Sequence, residues 1–288
     1  VTKNSSLAKY QKKNTKINQT QYSLLKKLEL NYSDHKTLIK CCKKNQIEFI
    51  SSPFDLDSAK MLIKLGLRKI KIPSGEITNY QLLKYLSKLD IELIISTGMT
   101  TSNEIRDALK ILTSKYKKKS RITLLHCNTD YPTDPVYINL RAINFLSDKF
   151  NFNVGFSDHS IGTHIPVAAI AFGAKVIEKH FTLKKSMQGP DHSVSLNPIE
   201  FRTMINNIRD IEKAIGNYQK KPTKSEIKNM VAVRKSIVAI KFINKGETFT
   251  FDNIGAKRPG KGISPMKIKE IIGKKAKKNF KEDDLIST

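Results

Sequence analysis

The strongest constraint on the fold of this chain is a strand-and-helix unit that repeats between residues 46 and 216. Short apolar runs rich in β-branched residues end in polar clusters, and amphipathic helical patterns fill the gaps between them. Strands that are apolar on both faces and alternate with helices indicate a parallel sheet covered by helices. The six runs are IEFISS (47–52), RKIKIPS (68–74), IELIIST (91–97), ITLLHC (122–127), NVGFSD (153–158) and AKVIEKHF (174–181).

Two folds share this pattern, an open doubly wound sheet and a closed (β/α)8 barrel. Chemically useful side chains follow every run here, and only a barrel gathers all of its strand ends at one rim. The barrel is therefore favoured. Because six runs fall short of eight strands, we expect a TIM barrel that lacks its first two strands.

The composition changes after residue 216. The segment NYQKKPTKSEIKN (217–229) is polar and contains Pro222, which is typical of a linker. The sequence beyond it alternates short strands with turns rich in Gly and Pro, which favours a small, mostly β domain. We therefore expect a partial barrel domain over 1–216, a linker over 217–230 and a small β domain over 231–288.

The chain is strongly basic, with 52 Lys and Arg against 26 Asp and Glu, a formal net charge of +26. The lysines are spread along the sequence, without the basic motif interleaved with aromatic residues that is typical of RNA-binding modules. Nucleic-acid binding is therefore a minor alternative. A positive field also attracts phosphorylated or carboxylated substrates, and that interpretation is favoured.

Cysteine usage and hydropathy indicate a cytoplasmic protein. The three cysteines form no disulfide framework, since the adjacent Cys41 and Cys42 cannot easily bridge each other. The apolar stretch IPVAAIAFGA (165–174) is shorter than the ~20 residues that a membrane-spanning helix needs. The chain also opens without a basic and then apolar leader. We expect no membrane association.

The polar clusters at the strand ends form a recognisable series. They are FISSPFD, KIPSGEITN, ISTGMTT, LLHCNTDYP, GFSDHSIG, IEKHFTL and GPDHSVSL. In order and spacing this series closely resembles the sialic acid synthase family, of the N-acetylneuraminate or N,N'-diacetyllegionaminate synthase type. The C-terminal motifs NKGETF and KRPGKGI resemble the antifreeze-like SAF domain that ends the same family.

The resemblance implies a transferase that condenses phosphoenolpyruvate with N-acetylmannosamine, or a related N-acetylated hexosamine, and water. The products would be N-acetylneuraminate, or a related nonulosonic acid, and phosphate. The stretch MQGPDHSVSL resembles the sialic and legionaminic branch, so N,N'-diacetyllegionaminate synthesis is the alternative. A non-catalytic anion-binding barrel is the competing class of protein.

Two catalytic groups of the family have no counterpart in these residues. In the family a water-orienting Glu ends the first strand and a phosphate-binding Lys lies on the second. The sequence begins after both strands, so we expect an N-terminally truncated barrel that is inactive by itself.

The resemblance assigns a divalent metal, Mn²⁺ or Mg²⁺, to the histidines of the SDH and EKH motifs, which are His159 and His180. Neutral imidazoles at neighbouring strand ends can share one ion and leave positions open for substrate and water. An oxygen-rich site suits Mn²⁺ or Mg²⁺ better than Zn²⁺. His126 is expected to be architectural, and the role of His192 stays open.

Phosphoenolpyruvate needs cations and short hydrogen-bond donors around its carboxylate and phosphate. The family's contacts of this kind correspond to Ser52, Lys71, Ser74, Ser96 and Ser157. Lys71 stands between two isoleucines at a strand end, which argues against an ordinary surface lysine. In the same motifs, Gly75 and Gly98 would let the backbone approach the ligand closely.

The sugar site of the family corresponds to Tyr131 and Asp191. Many relatives carry Asn two positions before that Tyr, whereas this chain has Thr129 there and Asn128 one position earlier, so both are candidates. Glu178 lies two residues before His180 and shares its face of the strand, where it would orient His180 or the sugar, or serve a structural role.

Arg258 lies in the KRPG motif of the small domain. In the family this Arg contacts the N-acetyl group of a sugar held by the neighbouring protomer. The resemblance therefore implies a domain-swapped homodimer, and a guanidinium suits an amide carbonyl because it presents a planar pair of donors.

Overall fold

The computed structural model describes residues 1–8, 11–12, 20–113 and 119–288. The chain divides into two compact units, Val1–Gly216 and Asn217–Thr288. The first unit alternates parallel strands with helices. Its helices are α1 (Gln21–Leu28), α2 (Tyr32–Lys44), α3 (Leu56–Lys64), α4 (Tyr80–Leu86), α5 (Ser102–Thr113), α6 (Arg141–Phe150), α7 (His164–Ala171) and α8 (Pro198–Ile215). Its strands are β1 (Lys69–Ile72), β2 (Glu92–Ser96), β3 (Ile122–Cys127), β4 (Asn153–Asp158) and β5 (Ile177–Lys179).

The five strands form one parallel sheet in the order β1-β2-β3-β4-β5. Each strand pairs with the next in sequence, as consecutive strand–helix units require. The outward-facing apolar residues of the strands pack against the helices in a single core, which includes the fully buried Ile70, Ile72 and Leu124. The helices therefore cover one face of the sheet.

Local capping fixes where two of these helices begin and end. The side chain of Asp55 accepts a hydrogen bond from a backbone N–H in the first turn of α3. Asn197 and Glu200 form a reciprocal capping box at the start of α8, and that helix stops at Gly216, whose φ is 60°. These boundaries are local consequences of the sequence.

The prediction of six strands is wrong by one. The run IEFISS (47–52) forms a single parallel bridge, Ser51 with Ile70, rather than a ladder. Ile47 is 65 % exposed and Ile50 38 % exposed, so the run has sheet contacts on one side and solvent on the other. Beyond β5 the chain adds a parallel bridge between Phe181 and Leu196 that the apolar pattern did not indicate.

The sheet is curved as a barrel requires. Lys71 on β1 and Glu178 on β5 belong to the two outermost strands, which a flat sheet would separate by about 19 Å. Their side-chain charges nevertheless lie 3.3 Å apart. The first unit is therefore TIM-barrel-like, a parallel half-barrel whose concave face carries these two side chains.

The second unit, Asn217–Thr288, has its own small core, which includes Phe249 and Phe280. The helix Ile268–Ile271 contributes Ile271 to that core, while the helix Lys224–Val233 buries none of its residues. The segment predicted as a linker over 217–230 contains the beginning of the helix Lys224–Val233. The elements of the second unit are α9 (Lys224–Val233), the antiparallel pair β6 (Ser236–Ala239) and β7 (Ile254–Lys257), and α10 (Ile268–Ile271).

None of the described helices combines the length and apolar character that crossing a bilayer requires.

Candidate active site

A charged cluster lies on the concave face of the half-barrel. The Nζ of Lys71 is 3.3 Å from Oε1 of Glu178, and the hydroxyl of Ser157 donates a 2.7 Å hydrogen bond to the same oxygen. Lys71 is only 8 % exposed, because β1 is buried on both faces. The structure thus brings together three of the predicted site residues, from β1, β4 and β5.

Strand alternation explains this convergence. Side chains along a strand point to opposite faces in turn, so Lys71 faces inward while its isoleucine neighbours face the helices. Glu178 was expected to orient His180 or the sugar, or to serve a structural role; its hydrogen-bond and ion-pair partners are Ser157 and Lys71. Its role in the reaction stays a prediction.

Ser74 and Ser96 lie at the ends of the neighbouring strands β1 and β2. The hydroxyl of Ser74 accepts a 3.0 Å hydrogen bond from the backbone N–H of Gly98. The hydroxyl of Ser96 is buried and has no hydrogen-bond partner among the described residues. A buried hydroxyl without a partner is costly, so a ligand or water that bonds to it would stabilise this site.

Two glycines lie in the loops after β1 and β2, Gly75 and Gly98, and Gly98 is the more tightly packed. A Cβ added there would lie 2.8 Å from Oγ of Ser74 and 2.9 Å from a methyl carbon of Thr129. A Cβ added to Gly75, in the adjacent loop, would meet nothing within 4 Å. Of the two glycines, only Gly98 is therefore required by packing.

Replacing Gly98 by alanine should weaken binding of phosphoenolpyruvate about tenfold, because the new methyl group displaces the Ser74 hydroxyl. Gly75→Ala is the matched control, and its affinity should stay within twofold of the wild type. Isothermal titration calorimetry of both variants measures the difference. Equal affinities for the two variants would contradict the packing argument.

The two predicted metal-binding histidines lie side by side. The ring centroids of His159 and His180 are 5.3 Å apart, and the ring planes meet at 76°. The ring of Tyr131 stacks on His159 at 4.1 Å and meets His180 edge-on at 5.4 Å. The structure thus groups the two histidines with the tyrosine predicted for the sugar site.

His159 is held in a form suited to metal binding. Nδ1 of His159 donates a hydrogen bond to the carbonyl of Asn128, which leaves the opposite ring nitrogen as the candidate ligand. Burial lowers the pKa of His159 to about 4, against the opposing effect of that hydrogen bond. The imidazole is therefore neutral near pH 7, as a metal ligand must be.

Asp191 faces the second histidine. Its Oδ2 lies 3.8 Å from Nδ1 of His180, and its other carboxylate oxygen is buried without a partner among the described residues. Burial raises the pKa of Asp191, while the neighbouring His180 opposes the shift. Ser195 donates a 2.7 Å hydrogen bond to the Asp191 carbonyl and fixes the loop. Asp191 thus presents an unsatisfied acceptor beside the histidines.

A divalent cation fits this donor set. The two imidazoles lie side by side, with ring centroids 5.3 Å apart, and can supply two nitrogen ligands. In the part of the chain that the structure describes, no three His, Cys, Asp or Glu side chains form a ready-made metal cluster. Further ligands would therefore be water or substrate oxygens, which suits Mn²⁺ or Mg²⁺.

Two other histidines, His126 and His192, have different partners. Nε2 of His126 bonds to the carbonyl of Ile138, and its ring stacks on Phe156 of the helix-facing core. Nδ1 of His192 lies 2.8 Å from the Thr182 hydroxyl. His126 is thus architectural, as expected, and His192 packs within the loop that carries Asp191.

Four predicted residues take no part in the described hydrogen bonds of Lys71, Ser157 and Glu178. Ser52 lines a cavity of about 440 Å³ together with Glu76. The Asn128 side chain donates to the Tyr137 carbonyl at 2.9 Å, and its amide oxygen is buried without a partner among the described residues. Arg258 lies in the second unit. Their contacts with substrate stay predictions, as does that of Thr129.

A larger cavity of about 690 Å³ lies between α5 and α6 and is lined by residues that include Arg106 and Lys149. Both cations already bond to side chains of α5, Arg106 to Asn103 and Lys149 to Ser102. The cavity holds none of the predicted chemistry, so the strand ends are the better candidate for the site.

Sequence reasoning missed two features beside the histidines. The thiol of Cys127 lies 3.9 Å from Nδ1 of His159, and burial raises its pKa, so it stays protonated. Asp158 and Lys179 form an ion pair of 2.6 Å that is almost completely buried. The available signal was that each member of this pair directly precedes a histidine at the end of neighbouring runs.

A parallel half-barrel with a charged cluster and a histidine pair on its concave face defines a TIM-barrel-like protein with a polar site at its strand ends. The comparisons identify the family within this class. The NeuB family matches residues 1–220 and the SAF domain matches residues 234–288, so the chain belongs to the NeuB family and carries a C-terminal SAF domain.

Individual relatives agree. The chain is 50 % identical to an N,N'-diacetyllegionaminic acid synthase of Campylobacter jejuni, over 99 % of this chain and 86 % of that one. It is 40 % identical to the enzyme of that name in Legionella pneumophila, over 97 % of this chain and 79 % of that one. The crystal structure of an N-acetylneuraminic acid synthetase from Leptospira borgpetersenii matches with a TM-score of 0.68 at 35 % identity, covering 72 % of each chain.

Proposed function

We propose that this protein is a nonulosonic acid synthase that condenses phosphoenolpyruvate with an N-acetylated hexosamine and releases phosphate. Membership of the NeuB family supports synthesis of this class of sugar acid. The observation that carries the proposal is the convergence of Lys71, Ser157 and Glu178 on the concave face that also presents His159 and His180.

The charged cluster would bind phosphoenolpyruvate. Lys71 supplies the positive charge, and the hydroxyls of Ser74, Ser96 and Ser157 supply short donors for carboxylate or phosphate oxygens. Of these hydroxyls, that of Ser96 is the most readily available to the anion, because it is buried and has no partner among the described residues. When the anion enters, the Ser157 hydroxyl would turn from Glu178 to the anion, because its one proton can bond to only one of them.

The histidine pair would hold the cation that the family uses, Mn²⁺ or Mg²⁺. Bound there, a divalent ion would polarise the aldehyde of the open-chain sugar. Tyr131 covers one face of His159, and Asp191 offers its unsatisfied oxygen to the sugar. These residues would orient the aldehyde carbon toward C3 of phosphoenolpyruvate, after which water adds at C2 and phosphate leaves by C–O cleavage.

The relatives favour one acceptor. Two of them named N,N'-diacetyllegionaminic acid synthase are 50 % and 40 % identical to this chain, against 35 % for a pseudaminic acid synthase of Campylobacter jejuni. We therefore propose a 2,4-diacetamido-6-deoxy hexose as acceptor and N,N'-diacetyllegionaminate as product, in place of the N-acetylmannosamine and N-acetylneuraminate expected first.

A substrate panel tests this proposal. The protein is titrated, in the presence of phosphoenolpyruvate and Mn²⁺, with either N-acetylmannosamine or the diacetamido hexose, and the affinity for each sugar is measured by isothermal titration calorimetry. We expect the diacetamido sugar to bind at least tenfold more tightly. Tighter binding of N-acetylmannosamine would overturn the acceptor assignment. Phosphoenolpyruvate binding without binding of either sugar would favour a non-catalytic anion-binding barrel.

We also propose a cytoplasmic homodimer in which Arg258 contacts the N-acetyl group of a sugar held by the other protomer. The planar guanidinium supports this role chemically. Sedimentation equilibrium tests the dimer. An Arg258→Lys variant that bound the sugar more weakly and phosphoenolpyruvate with unchanged affinity would support the contact.

A further inference from the structure

The ion pair between Asp158 and Lys179 lies on the face of β4 and β5 opposite the candidate site. The side chains are 0 % and 1 % exposed, and Nζ of Lys179 is 2.6 Å from Oδ2 of Asp158. The two residues are direct partners in the parallel register of β4 and β5. Each stands immediately before a histidine of the site, so strand alternation sends the histidines to the concave face.

The pair also clamps the backbone on the far side of His159. Nζ of Lys179 donates a second hydrogen bond to the carbonyl of Ser160. The other oxygen of Asp158 accepts a 2.9 Å hydrogen bond from the N–H of Ser160. His159 is thereby bracketed by two residues that are both tied to the strand carrying His180.

The ion pair connects β4 and β5 at the point where their hydrogen-bonded ladder ends. The ladder between β4 and β5 ends at Asp158 and Lys179, so the paired register does not extend to the two histidines. Their backbones bond elsewhere, His159 to Thr133 and His180 to Leu196. The buried pair is therefore the last link between the two strands before the imidazoles.

Stability alone does not account for such a pair. Removing two charges from water costs much of what their attraction returns, and apolar replacements of similar size are often as stable. A buried ion pair with additional hydrogen bonds to a specific backbone segment fixes geometry instead. Here the geometry that it fixes is the separation of two histidine-bearing strand ends.

We infer that Asp158 and Lys179 are positioning residues that set the spacing of His159 and His180 for a divalent cation. This inference rests on the proposed metal site. Partners behind metal-binding histidines typically change metal affinity by 10- to 100-fold when they are replaced. The pair contacts neither substrate nor metal and acts through the backbone of the two histidines.

The test uses the double variant Asp158→Leu/Lys179→Met, which removes both charges and keeps the buried volume. Mn²⁺ affinity is measured by electron paramagnetic resonance of the free ion, without substrate. We expect binding about tenfold weaker than the wild type, with an unchanged affinity for phosphoenolpyruvate. The single variant Lys179→Arg should keep its Mn²⁺ affinity within about twofold of the wild type. A guanidinium can reach both the Asp158 carboxylate and the Ser160 carbonyl.

A second variant guards against misfolding. Asp158→Asn/Lys179→Gln keeps an acceptor for the Ser160 N–H but shortens the side chain that reaches the Ser160 carbonyl, and it should also bind Mn²⁺ several-fold more weakly. Lys69→Met is the matched control. Lys69 lies in the same sheet but at the first residue of β1, and it pairs there with Glu48 and Glu92. Thermal unfolding of each variant is recorded in parallel.

The outcomes separate this inference from the proposed function. If His159→Phe loses Mn²⁺ while both double variants bind it like the wild type, the positioning role is refuted and the metal site stands. If His159→Phe binds Mn²⁺ unchanged, the metal site itself is refuted. The positioning role is supported if the double variants lose Mn²⁺ affinity about tenfold and unfold normally, while Lys179→Arg binds Mn²⁺ like the wild type.

Discussion

Replacing Lys71 by methionine should weaken binding of phosphoenolpyruvate about 100-fold, which corresponds to about 3 kcal/mol. Methionine keeps the length of the side chain and removes its charge, so the anion loses a charge-assisted hydrogen bond in a site where water competes poorly. Isothermal titration calorimetry measures the affinity directly and does not depend on turnover.

Lys69→Met is the matched control for this change. Lys69 lies two residues earlier on β1 and therefore on the same face, but it pairs with Glu48 and Glu92. Its loss should alter the affinity for phosphoenolpyruvate by less than twofold. Comparable losses of affinity in both variants would show that Lys71 acts through the general positive field of a basic chain. A wild-type affinity in Lys71→Met would show that Lys71 does not bind phosphoenolpyruvate.

Replacing His159 by phenylalanine should weaken Mn²⁺ binding by more than about 100-fold, beyond what changes in outer-shell partners cause. A phenyl ring can still stack on Tyr131, so the apolar packing is largely kept while both ring nitrogens are lost. Mn²⁺ titration followed by electron paramagnetic resonance measures the loss directly.

His126→Phe is the corresponding control. His126 is a half-buried histidine at the end of a strand, and burial lowers its pKa as well, but it stacks on Phe156 on the helix-facing side. Its replacement should leave Mn²⁺ affinity unchanged. Loss of Mn²⁺ binding in the His126 variant would mean that the metal site depends on general packing around β3 rather than on particular imidazoles.

Much of the half-barrel could be predicted from the sequence because its signals are local. β-branched runs such as ITLLHC become strands wherever they are covered on both faces, and Asp55, Asn197 and Gly216 bound their helices through contacts within a few residues. The pairing of His159 with His180 followed from their places at the ends of adjacent parallel strands. For the same reason Lys71 could be assigned to the rim.

The tertiary structure decided what depends on distant parts of the chain. IEFISS has strand composition but forms a single bridge, because a ladder needs continuous pairing with a neighbouring segment. Lys71 meets Glu178 across five strands only because the sheet curves. Asp158 and Lys179 are buried only because helices cover the outer face of that sheet. Local periodicity determines which residues face inward, whereas long-range packing determines which of them meet.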